Sequence, residues 1–178
     1  MLFRTIFAGF GGQGILMMGY ALSFTTMKKG RYVTFLPSYG AEMRGGTANC
    51  TVVISDEEIA SPIASAPEAI VIMNTPSLVK FQNRVKSGGT FFINSSQVQK
   101  RIFRKDVEIC RIPVAEMAEK LGNIRVANMV MLGAFLKKTK LLPLDALSGE
   151  LINILPQRHH RLIDLNKKAL NLGFEYEV

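Results

Sequence analysis

The chain has no tryptophan, and only two cysteines and two histidines among 178 residues. Cys50 and Cys110 form no C-x-x-C pair, so the chain cannot supply the four thiolates of an iron–sulfur cluster. His159 and His160 are adjacent, which on a helix turns them about 100° apart and away from a shared metal. Neither histidine stands in a segment resembling a catalytic-triad element, and Asp56, Glu57 and Glu58 read as a solvated turn. No metal site and no catalytic set is expected of this chain.

Acidic residues are also scarce, 14 against 22 basic ones, for a net charge of +8. The basic side chains gather at Lys100, Arg101, Arg104 and Lys105, and again at Arg158, Arg161, Lys167 and Lys168. No helix-turn-helix, RNP-like aromatic strand or zinc pattern accompanies them, so nucleic acid is not an expected partner. Solvated faces come first, and steering of an acidic partner or of CoA phosphates second. Residues 5–27 carry no charge over 23 positions, which is membrane-spanning length, yet they include five glycines and a glutamine. With only Arg4 before them and no small-residue cleavage site after them, they read as a buried strand and helix of a cytoplasmic protein.

What the chain does have is an apolar excess: 48% hydrophobic residues and a mean hydropathy of +0.18. A methionine-rich core and a surface reserved for a partner subunit explain this equally well. At this length one domain over residues 1–178 is expected.

The N-terminus holds the most specific pattern. Strand-like residues 5–8 pass through Gly9, Phe10, Gly11, Gly12, Gln13 and Gly14 into a helix-like run ending near Gly30. Gly9, Gly11 and Gly14 satisfy G-x-G-x-x-G, which lets backbone amides approach an anion or a helix pack closely on its strand. A nicotinamide site also needs an acidic residue about 20 positions further on, at the end of the second strand. That strand, residues 32–36, runs instead into Pro37, Ser38, Tyr39 and Gly40. No Gly-Lys-Ser/Thr follows the glycines, so a P-loop fails as well.

A second glycine-rich segment, Ser38-Tyr39-Gly40-Ala41-Glu42-Met43-Arg44-Gly45-Gly46, separates the second strand from a β-branched third one. Together with G-x-G-G-Q-G and with Asn128-Met129-Val130-Met131-Leu132-Gly133-Ala134, it resembles the gamma subunit of 2-oxoacid:ferredoxin oxidoreductases. The three motifs occur in the family's order and cover nearly the whole chain. One departure is Glu68, where that pattern has Asp before the fourth strand.

The resemblance implies a complex that oxidatively decarboxylates a 2-oxoacid with coenzyme A, giving acyl-CoA, carbon dioxide and reduced ferredoxin. Thiamine diphosphate, Mg2+ and [4Fe–4S] clusters belong to the partner alpha, beta and, as a further candidate, delta subunits. Ferredoxin accepts the electrons, and CoA is a substrate. This chain binds no cofactor alone and sits away from membranes and nucleic acid. An independent nucleotide- or CoA-binding module is the alternative. Pyruvate, 2-oxoglutarate, branched-chain oxoacids and indolepyruvate are all open as substrates.

Strand signals at residues 5–8, 32–36, 47–54, 69–74, 90–94 and 107–113 alternate with helix signals at 15–29, 76–86 and 97–104. The pattern predicts an α/β domain with a mainly parallel sheet, helices on both faces and a Rossmann-like start. The third strand is expected to pair antiparallel with a short partner near Ile59. Helices at 114–121, 127–138, 144–155 and 158–172 form the C-terminal part and close the sheet.

The expected cofactor-binding or interface residues are Gly9, Gly11, Gly12, Gln13, Gly14, Ser38, Tyr39, Glu42, Arg44, Gly45 and Gly46. For the first loop, a tight turn packed on a neighbour is favoured over a phosphate nest, with Gln13 bonding across the interface. Arg44 has the fork that suits a carboxylate or phosphate, against an internal pair with Glu42. The resemblance tips it towards an interface near the substrate or CoA entry. Asn128 reads as a helix cap or a ligand of neighbouring backbone.

Overall fold

A computed structural model describes residues 1–39 and 47–177. Six strands and six helices follow in the order β1 (Leu2–Phe10), α1 (Ile15–Lys28), β2 (Tyr32–Tyr39), β3 (Thr47–Ser55), β4 (Ala69–Ile72), α2 (Thr75–Phe81), β5 (Thr90–Asn94), β6 (Glu108–Ile112), α3 (Val114–Lys120), α4 (Ala127–Thr139), α5 (Leu144–Ile154) and α6 (Ile163–Glu175). Short 3-10 turns, Ile124–Val126 and Gln157–Leu162, lead into α4 and α6. The sheet order is β2-β3-β1-β4-β5-β6. β1, β4, β5 and β6 are parallel, and β3 lies antiparallel between β1 and β2.

Three expectations need correction. β3 has no short partner near Ile59: β1 takes one edge and β2 the other along nearly its whole length. Residues 97–104 form no helix. The Val98 and Lys100 carbonyls accept from the Arg111 guanidinium, each at 3.0 Å, which removes acceptors a helix would need. The helix expected over 76–86 ends at Phe81. It begins where the Asn74 Oδ1 accepts from Ser77 N–H at 2.9 Å, with Pro76 in the first turn.

Alternation along the strands sends side chains to two apolar layers. On one face Phe7, Val71 and Phe92 meet α1 and the C-terminal helices, and Phe135 of α4 docks 5.4 Å from Phe7 and 5.2 Å from Phe92. Each such aromatic, fully buried, contributes about 1.5–3 kcal/mol. On the other face Ile6, Ile70 and Phe91 pack with Leu78, Phe81 and Val98. Glu68 ties the starts of β1 and β4 together: it accepts from Arg4 N–H at 2.7 Å and from the Lys86 ammonium at 3.0 Å. This geometry needs only a carboxylate, and Glu supplies it.

Candidate functional site at the carboxyl edge of the sheet

The end of β1 fixes the site. Gly9 is buried, because a Cβ there would come within 2.5 Å of Gln13 Oε1 and of Ile15 Cδ1. Gly11 and Gly12 are exposed in the turn, with Gly12 at φ +96. Gly14, at φ +73, is the N-cap of α1. That helix starts with no acidic residue in its first turn and no side-chain cap. Among the described residues no side chain caps the amides of its first turn, which lie at the positive end of the helix dipole.

Gln13 bonds within this chain. Its Oε1 accepts from Phe10 N–H at 2.6 Å, and its Nε2 donates to Met73 O at 3.3 Å and to Gln97 Oε1 at 2.8 Å. The side chain thus latches the turn onto the ends of β4 and β5. Asn94 reinforces it, with its Nδ2 donating to the same Met73 carbonyl at 3.2 Å.

Asn128 closes the other side. It caps no helix; its Nδ2 points to Gly14 O at 3.5 Å, and a Cβ on Gly14 would overlap its side chain. Of the two readings of this residue, the structure keeps the ligand of neighbouring backbone. The residue is 6% exposed, and its Oδ1 meets no donor among the described residues. Gly12, Gln13, Gln97, Arg125 and Asn128 line a cleft of about 160 Å3. Arg125 is exposed and has no carboxylate within salt-bridge distance among the described residues. The cleft therefore offers a guanidinium and amide side chains, but no nucleophile or base among its lining residues. A wider hollow, about 710 Å3, lies at the opposite edge, near Leu2, Ser55 and Ile63.

Across the sheet Gly9 pairs with Ala48, and Ala48 with Tyr39. Gly9 and Tyr39 thus share one row, about 10 Å apart over two strand spacings. β2 runs in the direction of β1, so both glycine segments start at the carboxyl edge. Ser38 is exposed there, beside Asn49. Glu42, Arg44, Gly45 and Gly46 lie outside the described residues. Gln97, Asn94 and Arg125 were missed in the sequence because they come from distant segments that carry no motif.

Parallel strands, a glycine turn opening a helix without a side-chain cap, and a cleft at the carboxyl edge define an α/β protein of the open-sheet class. The chain belongs to the pyruvate ferredoxin/flavodoxin oxidoreductase family, which it matches over residues 4–176. It is 38% identical over 174 residues to ketoisovalerate oxidoreductase subunit VorA of Methanothermobacter thermautotrophicus, covering 97% of this chain and 36% of that one. It therefore spans about a third of the length of the ketoisovalerate subunits that it matches. With 2-oxoglutarate synthase subunit KorC of Methanothermobacter marburgensis it is 35% identical over 156 residues, covering 84% of each. A keto/oxoacid ferredoxin oxidoreductase gamma subunit from Geobacter sulfurreducens has the same fold, with a TM-score of 0.83 at 26% identity, covering 97% of this chain and 96% of that one.

The residues described here do not fit an iron–sulfur cluster. Cys50 lies on β3 and Cys110 on β6, four strand spacings or about 19 Å apart. Burial pushes the Cys50 thiol up to about 12, and burial with the Glu108 charge pushes Cys110 up to about 11, so both stay protonated. No three His, Cys, Asp or Glu side chains converge as metal ligands among the described residues. No helix among them is long and apolar enough to cross a membrane.

Proposed function

We propose that this chain is the gamma-type accessory subunit of a thiamine diphosphate-dependent complex. The complex decarboxylates a 2-oxoacid oxidatively with coenzyme A, giving acyl-CoA, carbon dioxide and reduced ferredoxin. The observation that carries this reading is the family match over residues 4–176, beside a 2-oxoglutarate synthase subunit matched over 84% of both chains. Thiamine diphosphate, Mg2+ and [4Fe–4S] clusters then reside in the alpha, beta and further partner subunits. Ferredoxin is the acceptor of the assembled complex.

In this reading the segments at residues 9–14 and 38–46 form one wall against the catalytic subunits. The positive end of α1 and the Arg125 guanidinium suit a carboxylate or phosphate arriving from outside the chain. The same features favour a second reading, an independent CoA- or nucleotide-binding module. Stoichiometric CoA binding by the purified chain, without partners, would mark that one.

The decisive measurement is reconstitution. The lone chain is expected to show no iron and no oxoacid-dependent dye reduction, and the partner subunits are expected to restore turnover. Arg44→Ala is expected to weaken assembly by about 2–5 kcal/mol, the cost of stripping one partner from a buried charged contact. A Cβ on Gly12 meets nothing within 4 Å among the described residues, so Gly12→Val carries mainly the backbone cost of a positive φ, about 1–3 kcal/mol. Lost assembly in a folded Gly12→Val chain therefore reports on a neighbour. Turnover by the lone chain, or full assembly and activity of Arg44→Ala, would defeat this reading and the role of Arg44 respectively.

A further inference from the structure

The loop between β5 and β6 carries a feature that the carboxyl-edge cleft does not use. Phe103 is 87% exposed, the most exposed of the large apolar side chains among the described residues. Its neighbour Ile102 packs inward against the apolar layer of Ile70 and Phe91. Lys100, Arg101 and Lys105 surround it, all exposed, and none has a salt-bridge partner among the described residues.

The loop is held at both ends. Arg111 donates to the Val98 and Lys100 carbonyls, and Arg104 donates to Val85 O at 2.6 Å while forking onto Asp106. The Arg104 contact holds the Asp106 carboxyl down at about 2. A shallow cleft of about 410 Å3 lies beside Phe103, between Arg101, Ile109 and Arg111. Holding an aromatic out in water inside a fixed loop is costly to the lone chain, and it removes the ordering cost from an association.

We propose that residues 100–105 are a docking surface for an acidic protein chain, with Phe103 as the anchor and Lys100, Arg101 and Lys105 as its charged rim. An aromatic centre ringed by charge is the usual anatomy of a protein interface. Unpaired ammonium and guanidinium groups call for carboxylates opposite. Single-stranded nucleic acid is a poorer fit, because bases stack on successive aromatics and Phe103 stands alone: Phe81, Phe91 and Phe92 are buried. The loop begins at Gln97, which lines the carboxyl-edge cleft, so this surface is continuous with the wall proposed above. Taking the occupant as a partner subunit of the complex rests on that reading.

The test uses the full chain and its purified alpha and beta partner subunits, with dissociation constants measured at low and high salt. Phe103→Ala is expected to weaken binding by about tenfold or more. Lys100→Glu with Arg101→Glu and Lys105→Glu is expected to weaken it further and to flatten the salt dependence. Phe103→Leu should keep most of the affinity, and unfolding midpoints should not move, since these side chains are exposed. If the native chain binds its partners and all variants bind equally well, this surface is overturned while the accessory-subunit reading stands. If the native chain binds neither partner, both fall. Salt-sensitive binding of the native chain to single-stranded oligouridine or to phosphatidylserine vesicles, lost in the charge-reversed chain without change in partner binding, would also overturn it.

Discussion

Gly14 and Asn128 are 114 positions apart in sequence and meet at the cleft. Gly14 needs to be glycine twice over: its φ of +73 is left-handed, and a Cβ would overlap the Asn128 side chain. Gly12 needs it once, since φ is +96 but nothing among the described residues lies within 4 Å of a Cβ. This difference predicts an order of effects. Gly12→Ala is expected to cost about 1–2 kcal/mol, the backbone penalty alone. Gly14→Ala is expected to cost that plus the displacement of Asn128, with the unfolding midpoint lower by about 2–4 °C for each further kcal/mol. Thermal unfolding of the two variants checks it. Equal midpoints would mean that Asn128 yields freely and does not fix the approach of α4 to α1.

The same close approach recurs between elements, where α4 crosses α6. A Cβ on Gly133 would overlap Leu170 O, and one on Gly173 would overlap Val130 O, so the two backbones touch without side chains between them. Gly133→Ala and Gly173→Ala are each expected to destabilise by about 1–3 kcal/mol through overpacking. Both push the same pair of helices apart, so the double variant should lose clearly less than the sum, and chemical denaturation of all three shows whether it does. Gly133 stood in a recognisable motif, but Gly173 carried no mark, because its constraint comes from a helix some forty positions upstream. The element order was readable from local signals: Gly9 to Gly14 announced a strand-to-helix turn, and short apolar runs at residues 69–74 and 90–94 marked β4 and β5. What failed was long-range. The insertion of β3 between β1 and β2 depends on pairing that no local pattern encodes. Residues 97–104 read as a helix because nothing near them showed that Arg111 would take the carbonyls of Val98 and Lys100. At the site, the glycine turn was legible, while Gln97 and Arg125 arrive there only through the fold.

For the whole molecule, the two halves of the sheet are covered differently. Phe35 faces α1, against Gly19 and Tyr20, so the alternate residues Tyr32 and Leu36 point to the opposite face of β2. There they are 50% and 42% exposed, in the sheet half that α2 does not cover, with Leu2 exposed two strands away in the same row as Tyr32. β2 also ends the sheet among the described strands, so its outer backbone groups have no partner, apart from the donor that Pro37 removes. An apolar open face beside a free edge favours pairing with another copy, and a net charge of +8 opposes it only at low salt. The lone chain is therefore expected to fold yet to self-associate as salt and concentration rise. Leu36→Lys should suppress this by placing a charge on the face at its edge, with little change in the unfolding midpoint because the side chain is already half in water. Static light scattering of both chains, over a range of concentration and salt, makes the comparison. If the native chain stays monomeric at high salt, the exposed face is not a contact surface, and its apolar residues are ordinary surface. If both chains associate equally, the contact lies elsewhere than on β2. Adding the partner subunits should lower the scattering of the native chain only where they cover this same face, so the assay also separates a surface for its own copy from one shared with the complex.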